Sequence, residues 1–334
     1  MSSRHAAARR TFRGSPPPRQ RGIAMLVAIL LVAIGTILAA AIAYESAMSA
    51  RRSTATISFD EALLVTQGAE ALAAYGLRTF KNANRAGNGD IFPAQPWAQP
   101  VGPIEVVPGV TLEASLEDLQ GRFNLNWLVL NDGSGQPDKT AVTAFTHLLE
   151  LLGIEPKWTD LLVDWIDADP RPLTDGAEDS AYLGQNPPYL TANQYITSTT
   201  ELLALPGFGA ERYAKLAPYI AALPPGTALN VCSAAPVVLD AFTPNQQEYS
   251  LDPEGFQKNR ASAGTCFPPI ETYKTLVNPR AAATGPLKFD TKSNYFRLSS
   301  LVTIGTTEFN LYSLLLQDDN GGFVHPILRT YSPD

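Results

Sequence analysis

Cysteine and histidine are scarce in this chain. Two cysteines among 334 residues exclude a disulfide-dense scaffold and an all-cysteine zinc site. Three histidines, His5, His147 and His325, leave little for histidine-based catalysis. No G-x-S-x-G, H-E-x-x-H or P-loop sequence occurs, so the chain reads as non-enzymatic. Charge is sparse as well: charged residues make up 17% against 45% hydrophobic ones, a balance that can bury a core and is not that of a disordered chain. The length allows one large or two to three small domains. A formal net charge of -7 argues against a general coat for nucleic acid.

The charge is unevenly placed. Residues 1–22 carry six arginines (Arg4, Arg9, Arg10, Arg13, Arg19 and Arg21) and no acid. Taking those six from the 25 basic residues leaves 19 against 32 acids, so the remainder carries -13. Next comes Ile23–Ala43, 21 residues without a charge. As a helix this run spans about 30 Å, the thickness of a bilayer core. A buried core helix is the competing reading, but one this long with no polar stripe is rare in a soluble protein. The arginines ahead of it place the leader in the cytoplasm and the body outside. The apolar run is too long for an ordinary secretory signal. Instead, a basic stretch ending in Gly22 directly ahead of Ile23 resembles a prepilin leader. Such leaders are cut after the glycine by a prepilin peptidase and keep the apolar helix; a plain signal-anchored enzyme is the competing reading of this motif.

From Tyr44 to Phe80 there is no proline, and Val65, Ala69, Leu72, Gly76 and Phe80 recur at helical spacing. The charges Asp60, Glu61, Glu70 and Arg78 fall off that stripe. A helix from about Ile23 to Phe80 would be roughly 87 Å long, and Asn82–Gly89 supplies its stop signal. Pro93–Pro108 reads as loop. Gly109–Leu119, Tyr295–Ile304, Thr307–Leu316 and Phe323–Tyr331 read as strands, the last pair joined by a turn at Asp318-Asp319-Asn320-Gly321-Gly322. Between the first strand and the rest, Thr140–Leu152, Trp158–Ile166, Ser198–Leu205 and Glu211–Leu223 show helical periodicity. The fold class is therefore α+β: a long N-terminal transmembrane, pilin-like helix on a small antiparallel sheet, with a large helical domain inserted. The expected layout is a leader over 1–22, the membrane part of the helix over 23–43, the rest of the helix and first strands over 44–121, the insertion over 122–225, a mixed region over 226–290 and the closing strands over 291–334.

Three motifs carry chemistry or organisation. The first is a loop with six carboxylates in sixteen residues: Asp164, Asp167, Asp169, Asp175, Glu178 and Asp179. Crowded carboxylates repel unless a cation sits among them, and hard oxygen ligands on an irregular loop suit Ca²⁺. Asp167, Asp169, Glu178 and Asp179 are the first candidates as ligands. The register of an EF-hand is missing, and a solvated acidic loop with one capping aspartate would look the same in composition. The second motif, Leu205-Pro206-Gly207-Phe208-Gly209 followed by Tyr213-Ala214-Lys215-Leu216, resembles a helix-hairpin-helix. Such a hairpin either offers backbone amides to a phosphate or only packs two helices. With Arg212 and Lys215 facing Glu201 and Glu211 on an acidic body, packing is the favoured reading. Third, Phe123-Asn124-Leu125-Asn126 and Leu229-Asn230-Val231-Cys232 open similar segments, in which asparagine can cap a helix. Two related helical units are thereby suggested.

Taken together, these features resemble the K-type minor pseudopilins of bacterial type II secretion systems. The resemblance rests on RQRG before IAMLVAILLVAI, on Asp118-Leu119-Gln120-Gly121-Arg122-Phe123-Asn124-Leu125-Asn126, on DWIDADPRP and GAED within Asp164–Asp179, on Pro187-Pro188-Tyr189 with Ala192-Asn193, and on Ser293-Asn294-Tyr295-Phe296. It implies a pilin-like fold with an inserted helix-hairpin-helix (SAM-like) domain that binds calcium. It further implies cleavage between Gly22 and Ile23, a single-pass inner-membrane anchor with a periplasmic body, and a place at the pseudopilus tip beside I- and J-type minor pseudopilins. In that role the protein would initiate or cap assembly and support export of folded proteins, without binding nucleic acid. A membrane-anchored helix-hairpin-helix DNA receptor of competence type is the alternative. The family's usual Asn-Val-Asn-Thr-Ala is here Asn230-Val231-Cys232-Ser233-Ala234. Cys232 and Cys266 lie in the exported body with no other cysteine present, so they are expected to pair. Most pilins carry glutamate five residues after the cut, where this chain has Val27. A subunit with nothing stacked above it has no need of that glutamate.

Overall fold

The computed structural model describes residues 21–83, 89–243, 247–277, 287–318 and 322–332. The basic leader before Arg21 lies outside them. The chain divides into two compact units, one ending at Asp60 and the other spanning Glu61–Asp334.

Helix α1, Arg21–Ala83, is continuous through the end of the first unit into the second. Every residue from Ile23 to Ala43 is exposed, and the helix is long and apolar enough to cross a membrane, with a mean hydropathy of 2.9 in its most apolar window. The absence of proline along its whole length is what permits this single unbroken helix.

In the second unit, β1 (Val101–Val107) and β2 (Val110–Asp118) form a hairpin. A strand therefore stands where Pro93–Pro108 had read as loop. All its residues are exposed, and it is the edge of the sheet, where a proline such as Pro103 removes no needed ladder bond. After β2 the chain leaves the sheet through β3 (Phe123–Asn124), α2 (Lys139–Leu151), α3 (Trp158–Ile166), the short α4 (Asp179–Tyr182), α5 (Gly209–Leu216) and β4 (Ile220–Ala221). It continues through β5 (Leu229–Asn230), α6 (Pro236–Ala241), α7 (Pro253–Ala263), α8 (Ile270–Leu276) and β6 (Phe289–Asp290). Strands β7 (Tyr295–Ile304), β8 (Thr307–Gln317) and β9 (Val324–Thr330) then complete a five-stranded antiparallel sheet in the order β1-β2-β7-β8-β9. The β8–β9 turn is closed by Asp318 N–H donating to Phe323 O at 2.8 Å; Asp319, Asn320 and Gly321 lie outside the described residues.

Two expected helices are shorter or tighter than their periodicity suggests. Thr199–Ala204 is a 3-10 helix under a Ser198–Glu201 capping box. Helix α5 stops at Leu216, just ahead of Pro218, and the chain runs into β4.

The membrane-distal part of α1 packs on the sheet, but its buried face is rotated from the stripe read in the sequence. Ala62, Thr66, Ala69, Glu70 and Leu77 are buried, with Val65, Ala73 and Phe80 partly so, against Leu112, Phe296, Leu298, Val302 and Leu315. Leu72 is 65% exposed. Glu70, expected off the stripe, is buried because partners await it: Ser313 Oγ donates at 2.6 Å, and Arg329 donates from Nε and Nη2 at 2.7 Å each. This bidentate pair ties the helix to β8 and to the edge strand β9.

The helical insertion has its own core. Phe123 stacks on Phe242 at 5.7 Å between centroids and meets Phe145 and Trp127 at 5.3 and 5.2 Å. Two short parallel pairings punctuate it, β3 with β4 and β5 with β6. The asparagine in each opening strand is fully buried and turns the chain by accepting the N–H two residues on: Asn124 Oδ1 from Asn126, Asn230 Oδ1 from Cys232. Asn124 Oδ1 also accepts from Leu223 N–H at 3.0 Å, and Asn126 binds Ile196 and Leu223. Asn230 Nδ2 donates to Asp118 Oδ2 at 2.9 Å, to Ser293 Oγ and to Ile91 O, joining the second helical unit to the sheet. Cys232 and Cys266 form a disulfide across 34 residues of that second unit.

Candidate metal centre

The carboxylate-rich loop starts where α3 ends. Helix α3 is amphipathic, and its C-cap is Asp167, whose N–H reaches Val163 O. The loop then returns to α4 at Asp179. Asp164, inside the last turn of α3, is completely buried and accepts the N–H of Leu173 through both oxygens, at 3.2 and 3.0 Å. Gly176 passes so close that a Cβ there would overlap the Asp164 carboxylate. Asp164 is thus the internal brace of the loop. Asp175 contributes its N–H to Asp160 Oδ2 at 3.1 Å. Asp179 Oδ1 accepts from Thr191 N–H at 3.1 Å and Thr191 Oγ1 at 2.7 Å, pinning the start of α4 to the following loop.

Within this frame Asp167, Asp169 and Glu178 converge. One carboxylate oxygen from each lies within 4.8 Å of the others. Asp167 Oδ1 and Glu178 Oε1 are buried without a hydrogen-bond partner among the described residues, and so is Tyr182 Oη. Arg171 pairs with Asp169 on its outer side, Nη2 to Oδ2 at 3.2 Å. Burial, followed by repulsion from Asp164, Asp167, Asp169 and Asp179, pushes the Glu178 carboxyl up to about 7. Burial and Asp169 push Asp167 up to about 6. Asp164 also rises to about 6, by burial against the help of its Leu173 bond. The Arg171 hydrogen bond instead lowers Asp169. Two of the three converging acids, Asp167 and Glu178, resist ionisation and hold buried oxygens without a partner among the described residues, and a hard divalent cation relieves both burdens. Convergence of the three depends on the fold of the loop around Asp164, which spacing in the sequence does not disclose.

The hairpin motif is built for packing. Gly207 and Gly209 take positive φ of 82° and 77°, and Phe208 between them is buried edge-on against Trp158 at 5.2 Å. Arg212 lies over Trp158 and donates to both oxygens of Glu155 at 2.8 and 2.7 Å. Lys215 pairs with Glu211 at 3.4 Å. Both cations of the motif are engaged by acids of the same domain.

Comparison with known proteins agrees with this architecture. Residues 121–225 match the family model described as "Type II secretion system (T2SS), protein K". The type II secretion system protein K of Pseudomonas aeruginosa is 31% identical over 317 residues, covering 90% of each chain. Its namesake from Klebsiella pneumoniae is 38% identical over 213 residues, 61% of this chain and 63% of that one. Among solved structures, one chain of the GspK-GspI-GspJ complex from the type 2 secretion system of enterotoxigenic Escherichia coli superposes with a TM-score of 0.69 at 24% identity, covering 85% of this chain and all of that one. The chain belongs to the type II secretion system protein K family.

Proposed function

We propose that this protein is a minor pseudopilin placed at the tip of the pseudopilus, where it initiates or caps assembly with I- and J-type partners and acts through contacts rather than catalysis. The single observation that carries the reading is α1: one helix, fully exposed and uncharged over Ile23–Ala43, whose distal part serves as the spine of a sheet domain. The fold shared with a chain of the GspK-GspI-GspJ complex supports partners of those types. The bulk of the insertion favours a terminal position over a repeating one, and so does Val27. On this reading the inner membrane holds Ile23–Ala43, the body is periplasmic, and a prepilin peptidase cuts after Gly22. Ion pairing of Arg212 and Lys215 weighs against the DNA-receptor alternative.

Calcium belongs to the same proposal. Asp167, Asp169 and Glu178 would bind the ion directly, with Asp179 beside them, while Asp164 and Asp175 hold the loop in shape. The bound ion would neutralise the crowded carboxylates and fix the loop between α3 and α4.

Mass spectrometry of protein from the membrane fraction tests the processing step. A mature N terminus at Ile23 is expected. Intact Met1, or a cut within Ala39–Ala43, would contradict the pilin reading.

A further inference from the structure

Two arginines share one glutamate where the insertion adjoins the sheet. Arg122 Nε donates to Glu117 Oε1 at 3.0 Å, and Arg297 Nη2 donates to Glu117 Oε2 at 2.7 Å. Arg122 also donates to the main-chain oxygen of Ala217 at 3.1 Å. The arginine side chains are only 12% and 14% exposed, whereas Glu117 is 44% exposed. Among the described residues this one carboxylate serves both guanidinium groups, which leaves one positive charge of a largely buried arginine pair uncompensated and is costly. Burial lowers the Arg122 pKa, and Arg297 lowers it further, against the pull of Glu117. The buried Nε–H of Arg297 finds no acceptor among the described residues. Both arginines line a partly open cavity of about 20 Å³, together with Thr197 and Ile220 from the insertion and Leu314 and Leu328 from the sheet.

We propose that this cavity is a binding site for one small monovalent anion, chloride in a chloride-containing medium. Its volume admits a guest of about the size of a water molecule or halide. A water would accept the Arg297 Nε–H but leave the excess charge. A halide does both, and its weak hydration suits apolar walls and guanidinium donors. The anion would join Arg297 of β7 to Arg122 and the insertion, stabilising the junction between the two parts of the periplasmic body.

The test uses full-length protein in detergent, dialysed into sodium gluconate and titrated with sodium chloride at constant ionic strength. Saturable broadening of the chloride NMR line is expected, relieved by bromide and unaffected by gluconate. Saturation should raise the melting temperature by about 2–4 °C. Arg297→Lys keeps the charge but lacks the Nε–H, and should lose both effects. No broadening by the unaltered protein means the cavity holds water only, which overturns the proposal. Equal stabilisation by gluconate, or equal broadening with Arg297→Lys, also overturns it. If that variant does not fold, competition between bromide and chloride on the unaltered protein decides alone.

Discussion

Asp167 and Glu178 hold buried oxygens without a partner among the described residues, and their chemistry leads to two expectations. Because calcium would bind the folded state and not the unfolded one, removing it with EDTA should lower the melting temperature, and Glu178→Gln or Asp167→Asn should shrink that difference toward zero. Direct calcium titration by calorimetry checks the loss of binding. The second expectation concerns pH. Folded carboxyls at about 6 for Asp167 and about 7 for Glu178 stand above their unfolded values, so without metal the folded state holds the protons more tightly. Stability should then be full at acidic pH and decline as pH rises through about 6 to 7. Calcium, which keeps those carboxylates ionised in the folded state, should flatten the trend across the same window. Thermal melts in EDTA and in calcium at pH 5 and pH 8 measure both slopes, and parallel slopes would contradict the site. The six acids were legible as a cluster from sequence alone, but their division of labour was not. Asp164 braces Leu173 nine residues on, and only the closed loop separates a brace from a ligand.

At the scale of the element, α1 separates two uses of a helix that hydropathy alone confounds. Its apolar periodicity points to a stripe through Val65, Ala69, Leu72, Gly76 and Phe80; the sheet takes Ala69 and parts of Val65 and Phe80, but it adds Ala62 and Leu77 and leaves Leu72 exposed. Small residues fix that face because they let the helix lie close to the strands, and Glu70 joins it because Arg329 and Ser313 compensate its charge. Neither reason is local in sequence: Arg329 lies 259 residues away. Accordingly, Leu77→Ala should destabilise the body by about 2–4 kcal/mol through a core cavity. Leu72→Ala, at 65% exposure, should change the stability of the isolated protein by less than about 0.5 kcal/mol. Urea unfolding of the two variants distinguishes the faces; a reversed order would place the sheet on the wrong side of the helix. The strands read at Tyr295–Ile304 and Thr307–Leu316 were legible because burial alternates along β7 up to Val302 and along β8 from Leu311 on, and β1 was missed because an edge strand facing solvent has little need to alternate.

For the whole molecule, the chain between β2 and β7 consists of two helical units, the insertion and the region after it, opened by the same device, a short strand ending in a buried asparagine. The first unit contains the carboxylate loop, and the second is stapled by Cys232–Cys266. With a loop of 34 residues, removing the staple by Cys232→Ser with Cys266→Ser should cost roughly 3–4 kcal/mol by chain entropy, read as a lower urea midpoint. Calcium binding should survive it, since the loop belongs to the other unit.

The central claim is that this body serves as one member of a tip complex. Detergent-extracted protein, loaded with calcium and co-expressed with the I- and J-type pseudopilins of the same secretion system, should purify as a complex with one copy of each subunit by native mass spectrometry. Recovery of folded, calcium-loaded protein without either partner, or its detection at regular intervals along the pseudopilus shaft, would contradict the account.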